Sequence, residues 1–312
     1  KKWISEGAFL IASRARCPVV PVVILGSERL YNIRNWRPWR RAKVYIAIGK
    51  PIFHSQEAGR SVAREKLRDE VGLAIMNLKD ALFRVHSLTP DDLPHSPQER
   101  MRDYERTKSL SWIVDGAMCN MMNFVQWRRR ADACSKEKLA SYIGQCSQLS
   151  REEFFRTQPA LRPNLRSTWI EWDTPRPTGH IQNDRARVRF YAAGDPAAPT
   201  VFLLHALMSA SDVGYRRLAM RFNAAGWNVA FPHLPYHYSR TPAGTWNGEL
   251  AITADLVRNA EGLRQAVIEL RQLMALLRAR GTTEFGLIGT SYGGWIGALL
   301  SLLEKDFRFI AL

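Results

Sequence analysis

The residue spacing with the clearest chemical meaning is the Gly-x-Ser-x-Gly pattern of residues 289–293. An apolar run precedes it at residues 285–288, and a helix-compatible stretch follows at residues 295–303. Glycines two positions before and after a serine let the strand and helix backbones pass closely, so the hydroxyl is exposed at the tip of a sharp turn. This turn, a nucleophile elbow, predicts that Ser291 is a catalytic nucleophile. A glycine-rich turn with a solvated serine has the same pentapeptide, so the surrounding elements must decide.

The segments before the elbow predict an α/β sheet. Residues 200–204 and 227–232 are apolar runs typical of buried strands, and residues 215–225 between them have a helical pattern. From residue 256 to residue 277, apolar side chains recur every three or four positions, which predicts a second helix. The order of strand, helix, strand, helix, strand, elbow and helix predicts a doubly wound parallel sheet.

With these segments, residues 167–312 resemble the N-terminal half of the α/β-hydrolase family. The resemblance implies acyl transfer to Ser291 and an oxyanion hole made by the backbone amides of Tyr292 and Leu207. It also implies that three residues shape the surrounding loops: His205, Gly289 and Gly293.

The resemblance leaves the catalytic triad incomplete. In that family the order along the chain is serine, acid, histidine. All seven histidines precede Ser291, and residues 307–312 are typical of the strand after the elbow helix. We therefore expect the acid and the base beyond Leu312, and the chain to be a fragment of a longer protein.

A second candidate site is the loop at residues 233–240, which contains two histidines, two tyrosines and an arginine. Ligands of open α/β sheets bind beyond the carboxyl ends of strands, and this loop follows such an end. We expect His237 and Arg240 to line the substrate cleft, where Arg240 would bind a carboxylate or a phosphate. A rigid loop whose tyrosines pack against the sheet is an equally supported alternative.

The N-terminal residues 1–85 have a different pattern. A strand interrupted by Pro18 and Pro21 is followed by a basic loop, a second strand ending in Gly-Lys-Pro-Ile at residues 49–52, and an amphipathic helix. This order resembles the C-terminal half of the lysophosphatidic acid acyltransferase (PlsC-like) family. The resemblance implies acyl transfer from a thioester to a lysophospholipid, with the family's His-x-x-x-x-Asp motif expected before Lys1.

One segment does match His-x-x-x-x-Asp, between His86 and Asp91. It follows the last strand of the acyltransferase-like part instead of preceding the first, and Pro90 would break a helical start. We assign this segment to a turn that opens a mostly helical connector over residues 86–166.

The net charge of +16 is concentrated near the N-terminus, where residues 1–83 contain 16 basic and 7 acidic side chains. Basic residues there alternate with tryptophans, a composition that fits anionic lipid headgroups. A solvated loop with two packing tryptophans is the alternative, and nucleic acid is a third and weaker one. The candidate lipid contacts are Arg34, Trp36, Arg37, Trp39, Arg40, Arg41 and Lys43.

Four cysteines without Cys-x-x-Cys spacing argue against a zinc site and against a disulfide framework, so we expect no metal and no cofactor. We interpret the chain as part of a fusion between a lysophospholipid acyltransferase and a serine α/β-hydrolase that acts on an ester or thioester of lipid metabolism. The expected location is cytoplasmic, at the inner face of a membrane. Two alternatives remain: an acyltransferase with a non-catalytic hydrolase-like binding module, and a basic membrane-surface scaffold.

Overall fold

The structure, a computed structural model, describes residues 18–26, 43–53, 60–89 and 133–312, together with Phe9, Ala12 and scattered positions between 112 and 129. The chain forms two compact units, residues 1–125 and residues 126–312.

In the N-terminal unit, β1 (Val22–Leu25) pairs antiparallel with β2 (Tyr45–Ile48), and both strands contact α1 (Arg60–Val85). Leu67 and Val71 of α1 form a small buried core with Phe9 and Ala12. These strands and this helix occur in the order that the sequence predicts. The acyltransferase assignment itself stays a prediction.

The predicted lipid-contact patch falls almost entirely outside the described residues, which include only Lys43, an exposed side chain just before β2. The other six members, Arg34, Trp36, Arg37, Trp39, Arg40 and Arg41, lie outside that part of the chain. His86 follows α1 in a turn and packs its ring against Tyr45 at 4.7 Å.

The C-terminal unit is built on a seven-stranded sheet with the order β3-β4-β5-β7-β6-β8-β9. Its strands are β3 (Leu161–Leu165), β4 (Trp169–Asp173), β5 (Arg185–Tyr191), β6 (Thr200–Leu204), β7 (Asn228–His233), β8 (Phe285–Gly289) and β9 (Phe307–Ala311).

The sheet is mixed, which corrects the expectation of a parallel sheet. Strands β7, β6, β8 and β9 pair in parallel, but the ladders β3–β4, β4–β5 and β5–β7 are antiparallel. A parallel neighbour needs a long crossover, and the chain between β4 and β5 makes only a turn at residues 174–184. Strand β3 also lies within the segment that the sequence predicts as a helical connector.

Five helices accompany the sheet within the described part of this unit: α2 (Lys136–Ser147), α3 (Arg151–Phe154), α4 (Val213–Ala224), α5 (Leu256–Arg278) and α6 (Tyr292–Ser301). Asp255 caps α5 by accepting a hydrogen bond from the amide of Arg258 at 3.1 Å. Strands β6 and β7, which pair in parallel, are buried along their whole length, so the core of the unit lies around these two strands.

Among the described residues, no helix combines the length and the apolar composition that crossing a bilayer requires. The same residues contain no cluster of three side chains able to hold a metal ion.

Candidate active site

Ser291 lies between β8 and α6 in a backbone conformation that L residues rarely adopt, with φ 52° and ψ −112°. Its side chain is exposed, whereas Tyr292 and Gly293, which follow it, are buried. Strain of this kind persists only where the surrounding structure enforces it, and it is concentrated at functional sites. The geometry is that of a nucleophile elbow.

Two glycines make this turn sterically possible. A Cβ atom on Gly289 would lie 2.7 Å from the carbonyl oxygen of Gly293, and a Cβ on Gly293 would lie 2.4 Å from the carbonyl oxygen of Leu204. Both contacts are to backbone, which cannot move aside. The absence of side chains at these two positions therefore lets α6 start directly against the carboxyl end of β6.

In the loop after β6, three of the four backbone amides of residues 206–209 have an acceptor. Within residues 205–209, the amide of Ala206 donates to the Tyr215 hydroxyl, that of Met208 to His237 Nε2, and that of Ser209 to the Ala206 carbonyl. The amide of Leu207 has no acceptor among the described residues. 

The amide of Tyr292, at the first position of α6, likewise has no acceptor in the described part of the chain. Helix N-termini present such unpaired amides, and they bind negative charge. Leu207 and Tyr292 are the two donors that the family resemblance implies for an oxyanion hole, and neither amide has an acceptor among the described residues.

His205 is fully buried and shapes the loop. Its Nδ1–H donates to the Ala206 carbonyl at 2.9 Å, and its Nε2 accepts from the Leu234 amide at 3.1 Å, so the imidazole links the loops that follow β6 and β7. Burial, reinforced by the neighbouring His237, lowers the pKa of His205 to about 3. The ring is therefore neutral, with both nitrogens engaged, which leaves it no lone pair to act as a base.

His237 lies beside the elbow, with its ring centroid 5.7 Å from that of Tyr292. Its Nδ1–H donates to the Pro235 carbonyl at 2.8 Å and its Nε2 accepts from the Met208 amide at 3.2 Å. Burial lowers the pKa of His237 to about 4. The side chain of His237 fixes the loop that carries Leu207, and because both ring nitrogens are engaged, its role fits the rigid-loop alternative.

The expectation that Arg240 binds a carboxylate or a phosphate of the substrate is also corrected by the structure. Its guanidinium is 1% exposed and forms a two-bond ion pair with Glu269 of α5, at 2.5 and 2.9 Å. It also donates to the carbonyl oxygens of Asn183 and His233. All five N–H donors of Arg240 are engaged inside the protein, so Arg240 holds the loop of residues 233–240 to α5 and to the turn at residues 174–184, and it cannot bind a substrate carboxylate.

Several residues that the sequence analysis does not single out complete this arrangement. Tyr215 on α4 positions the Ala206 amide, and the Asn183 side chain accepts from the Tyr236 amide at 2.8 Å. Glu269, 29 residues from Arg240, lies on the buried side of α5. A carboxylate in an apolar helical stripe is the signal that could have identified Glu269, because such a group requires a buried cation.

No side chain in the described residues forms a hydrogen bond to the Ser291 hydroxyl. The structure therefore brings together an exposed, strained serine and two amides without acceptors, and no side chain in the described part of the chain bonds to the Ser291 hydroxyl as a base would.

No protein-family model matches the chain, and no curated protein matches it either. Solved structures are similar to it over about half of its length, and they include α/β-hydrolases such as esterases and epoxide hydrolases. A cold-adapted esterase from an Arctic intertidal metagenomic library has 16% identity and a TM-score of 0.35, over 48% of this chain and 62% of that chain. A protein from Agrobacterium tumefaciens described as an α/β-hydrolase has 19% identity and a TM-score of 0.32, over 46% and 58%.

A thermostable carboxyl esterase from Bacillus coagulans has 16% identity and a TM-score of 0.30, over 41% of this chain and 37% of that chain. The chain thus spans about three fifths of the first two structures, with 62% and 58% of their lengths covered.

Proposed function

We propose that the C-terminal unit carries the nucleophile and oxyanion hole of a serine hydrolase that cleaves an ester or thioester. The observation that carries this proposal is the backbone of Ser291, held at φ 52° between Gly289 and Gly293 and followed directly by the open amide of Tyr292. A plain βα turn requires neither a strained serine nor two glycines in backbone contact.

In the proposed reaction, Ser291 Oγ attacks the carbonyl carbon of the ester, and the carbonyl oxygen becomes an oxyanion. The amides of Leu207 and Tyr292 donate hydrogen bonds to that oxyanion. The serine proton passes to a general base and from there to the departing alkoxide or thiolate, which leaves an acyl-serine ester. Water then attacks this ester with the same base, which releases the acid and restores the hydroxyl.

The lipid-linked substrate and the acyltransferase partner are the finer part of the proposal. They rest on the likeness of residues 1–85 to a glycerolipid acyltransferase, which is an association and not a property of the site. The alternative, a hydrolase-like module that binds without reacting, differs in one measurable respect: its serine would not react with an activated phosphonate.

Fluorophosphonate labelling of the natural full-length protein tests this function. We expect the probe to attach to Ser291, and Ser291→Ala to lose at least about 99% of the labelling, since the hydroxyl is the attacking group. Ser147→Ala is the matched control, because Ser147 is an exposed serine on α2 whose hydroxyl donates only to the Gly144 carbonyl. Labelling that persists in Ser291→Ala places the nucleophile elsewhere, and labelling of neither protein favours the non-catalytic module.

A further inference from the structure

Two buried donors of the C-terminal unit have no hydrogen-bond partner among the described residues. In the described part of the chain, four buried side-chain polar atoms lack a hydrogen bond, and two of them, Asp173 Oδ2 and Arg187 Nε, face ion-pair partners instead. The remaining two are the Tyr292 hydroxyl and Arg258 Nη1. An unpaired buried donor destabilises the folded protein, so each one calls for an explanation, and a group bound from outside is one such explanation.

Both donors lie next to Tyr236. The Tyr236 ring covers α5 so closely that a Cβ on Gly262, one turn after Arg258, would lie 3.5 Å from its Cε2 atom. Burial raises the pKa of the Tyr292 hydroxyl, and the proximity of Tyr236 raises it further. Tyr236 is therefore close to both Tyr292 and Arg258.

Tyr236 and Arg258 both line a cavity of about 430 Å³. Its other walls come from the turn between β4 and β5, with Arg176, Thr178 and His180, and from Glu261 on α5. Because β4 runs parallel to β7 and β8, this turn and the start of α5 lie at the same edge of the sheet as Ser291. The cavity is large enough for a small organic acid.

The charges around the cavity leave one cation without a full partner. Glu261 is already occupied, since it is paired with Arg176 and Arg264 and accepts from the Tyr142 hydroxyl at 2.8 Å. The Arg258 guanidinium, by contrast, forms an ion pair with no described residue except Asp255, with Nη2 at 3.9 Å from Oδ2.

Asp255 is itself shared, because it also pairs with Lys138 and caps α5. The free side of the Arg258 guanidinium is thus suited to an acceptor with negative charge, which would bind it by charge-assisted hydrogen bonds.

We propose that this cavity binds an anionic group, a carboxylate or a phosphate monoester, on the Arg258 guanidinium, and that this group belongs to the substrate whose ester carbonyl reaches Ser291. The second half of the statement rests on the proposed hydrolase function. The first half does not, because it concerns only binding.

Anion titration of the protein tests the first half. Inorganic phosphate and glutarate are titrated separately against sodium chloride of equal ionic strength, with the melting temperature and a dissociation constant as readouts. We expect at least one of the two anions to bind saturably, and Arg258→Gln to weaken that binding at least about tenfold, since a charge-assisted bond is lost. Arg217→Gln, on the exposed side of α4, is the matched control and should bind as the wild type does.

The choice between phosphate and glutarate identifies the chemistry of the bound group. If Arg258→Gln does not fold, Arg258→Lys serves instead, because it keeps the charge but loses the planar fork; we expect at least a threefold weakening with it. Stabilisation by both anions no greater than by chloride, or equal weakening in Arg258→Gln and Arg217→Gln, overturns the site.

Hydrolysis of two matched esters by the natural full-length protein tests the second half. We expect 4-nitrophenyl glutarate monoester to be preferred over 4-nitrophenyl pentanoate in kcat/KM, and the ratio to fall about tenfold in Arg258→Gln. An unchanged ratio removes Arg258 from substrate recognition while leaving the hydrolase intact. Anion binding that depends on Arg258, with neither ester hydrolysed and Ser291 unlabelled, supports the anion site and overturns the proposed function.

Discussion

The loop of residues 233–240 and the elbow of residues 289–293 lie side by side in the C-terminal unit, and they use polar groups in opposite ways. In the loop, His233, His237 and Arg240 are buried and hydrogen-bonded. At the elbow, Ser291 is exposed and strained, its neighbouring amides are open, and the Tyr292 hydroxyl has no partner in the described residues. Satisfied polar groups stabilise a fold, whereas unsatisfied ones indicate where a ligand is bound. The loop is therefore the support, and the elbow is the surface on which we propose that the reaction takes place.

Acidification should destabilise the folded protein through its buried histidines, and this is the largest of the expected effects. Burial lowers the pKa of His205 and His233 to about 3 and that of His237 to about 4, against an ordinary value near 6.5. The unfolded chain then binds protons that the native state excludes, so stability is complete above about pH 6.5 and declines as the pH falls. We expect a loss on the order of 2 kcal/mol per histidine between pH 7 and pH 5.

Urea denaturation at several pH values measures this loss. The pKa values of Asp173, Asp255 and Glu261 are also lowered in the folded protein. The stability that these carboxylates contribute declines only below about pH 4.5, so it does not change between pH 7 and pH 5. His237→Gln should make the dependence shallower by about a third, because one of three protons is removed. A stability that is flat from pH 7 to pH 5 would show that the imidazoles are not held neutral.

Arg240→Met should have the next largest effect. It leaves the Glu269 carboxylate buried without its cation, and we expect the free energy of unfolding to fall by about 3–5 kcal/mol. Arg308→Gln is the comparison, because Arg308 forms an exposed pair with Glu284 at 2.9 Å and should cost less than about 1 kcal/mol.

The double variant Arg240→Met with Glu269→Leu sharpens this test. It removes both charges, so we expect it to recover most of the lost stability. If the single variant costs no more than Arg308→Gln, Arg240 is not the support of the loop, and it becomes available to a ligand again.

The elbow could be predicted from sequence because its determinants are local. The two glycines, the serine and the apolar run of β8 lie within nine residues, and so their spacing contains the geometry. The role of Arg240 could not be predicted from sequence, because its partner Glu269 lies 29 residues away on another element and no periodicity connects the two residues. Strand β3 was also missed: its residues Leu-Arg-Pro-Asn-Leu lack alternation, and its pairing depends on β4.

Gly293→Ala tests the elbow itself and should be weaker than the loss of the buried ion pair. The new Cβ would approach the Leu204 carbonyl oxygen to 2.4 Å, and we expect a cost of about 2–3 kcal/mol together with the loss of fluorophosphonate labelling. Gly214→Ala on α4 is the control: nothing lies within 4 Å of its Cβ position, so it should stabilise the protein by about 0.5–1 kcal/mol. A Gly293→Ala protein that melts and labels as the wild type does would show that the close approach of α6 to β6 is dispensable.

Tyr292→Phe should have the smallest effect, and its sign is opposite to that of the others. It removes a buried hydroxyl that has no partner among the described residues, so the folded protein should gain about 1 kcal/mol, or roughly 2–4 °C in melting temperature. Tyr215→Phe is the matched change at a satisfied hydroxyl, because Tyr215 accepts from the Ala206 amide at 3.2 Å, and it should lose about 1 kcal/mol. Thermal melting of both variants without added anion decides the matter. If Tyr292→Phe destabilises the protein as much as Tyr215→Phe does, the Tyr292 hydroxyl has a partner, and the elbow is as fully satisfied as the loop beside it.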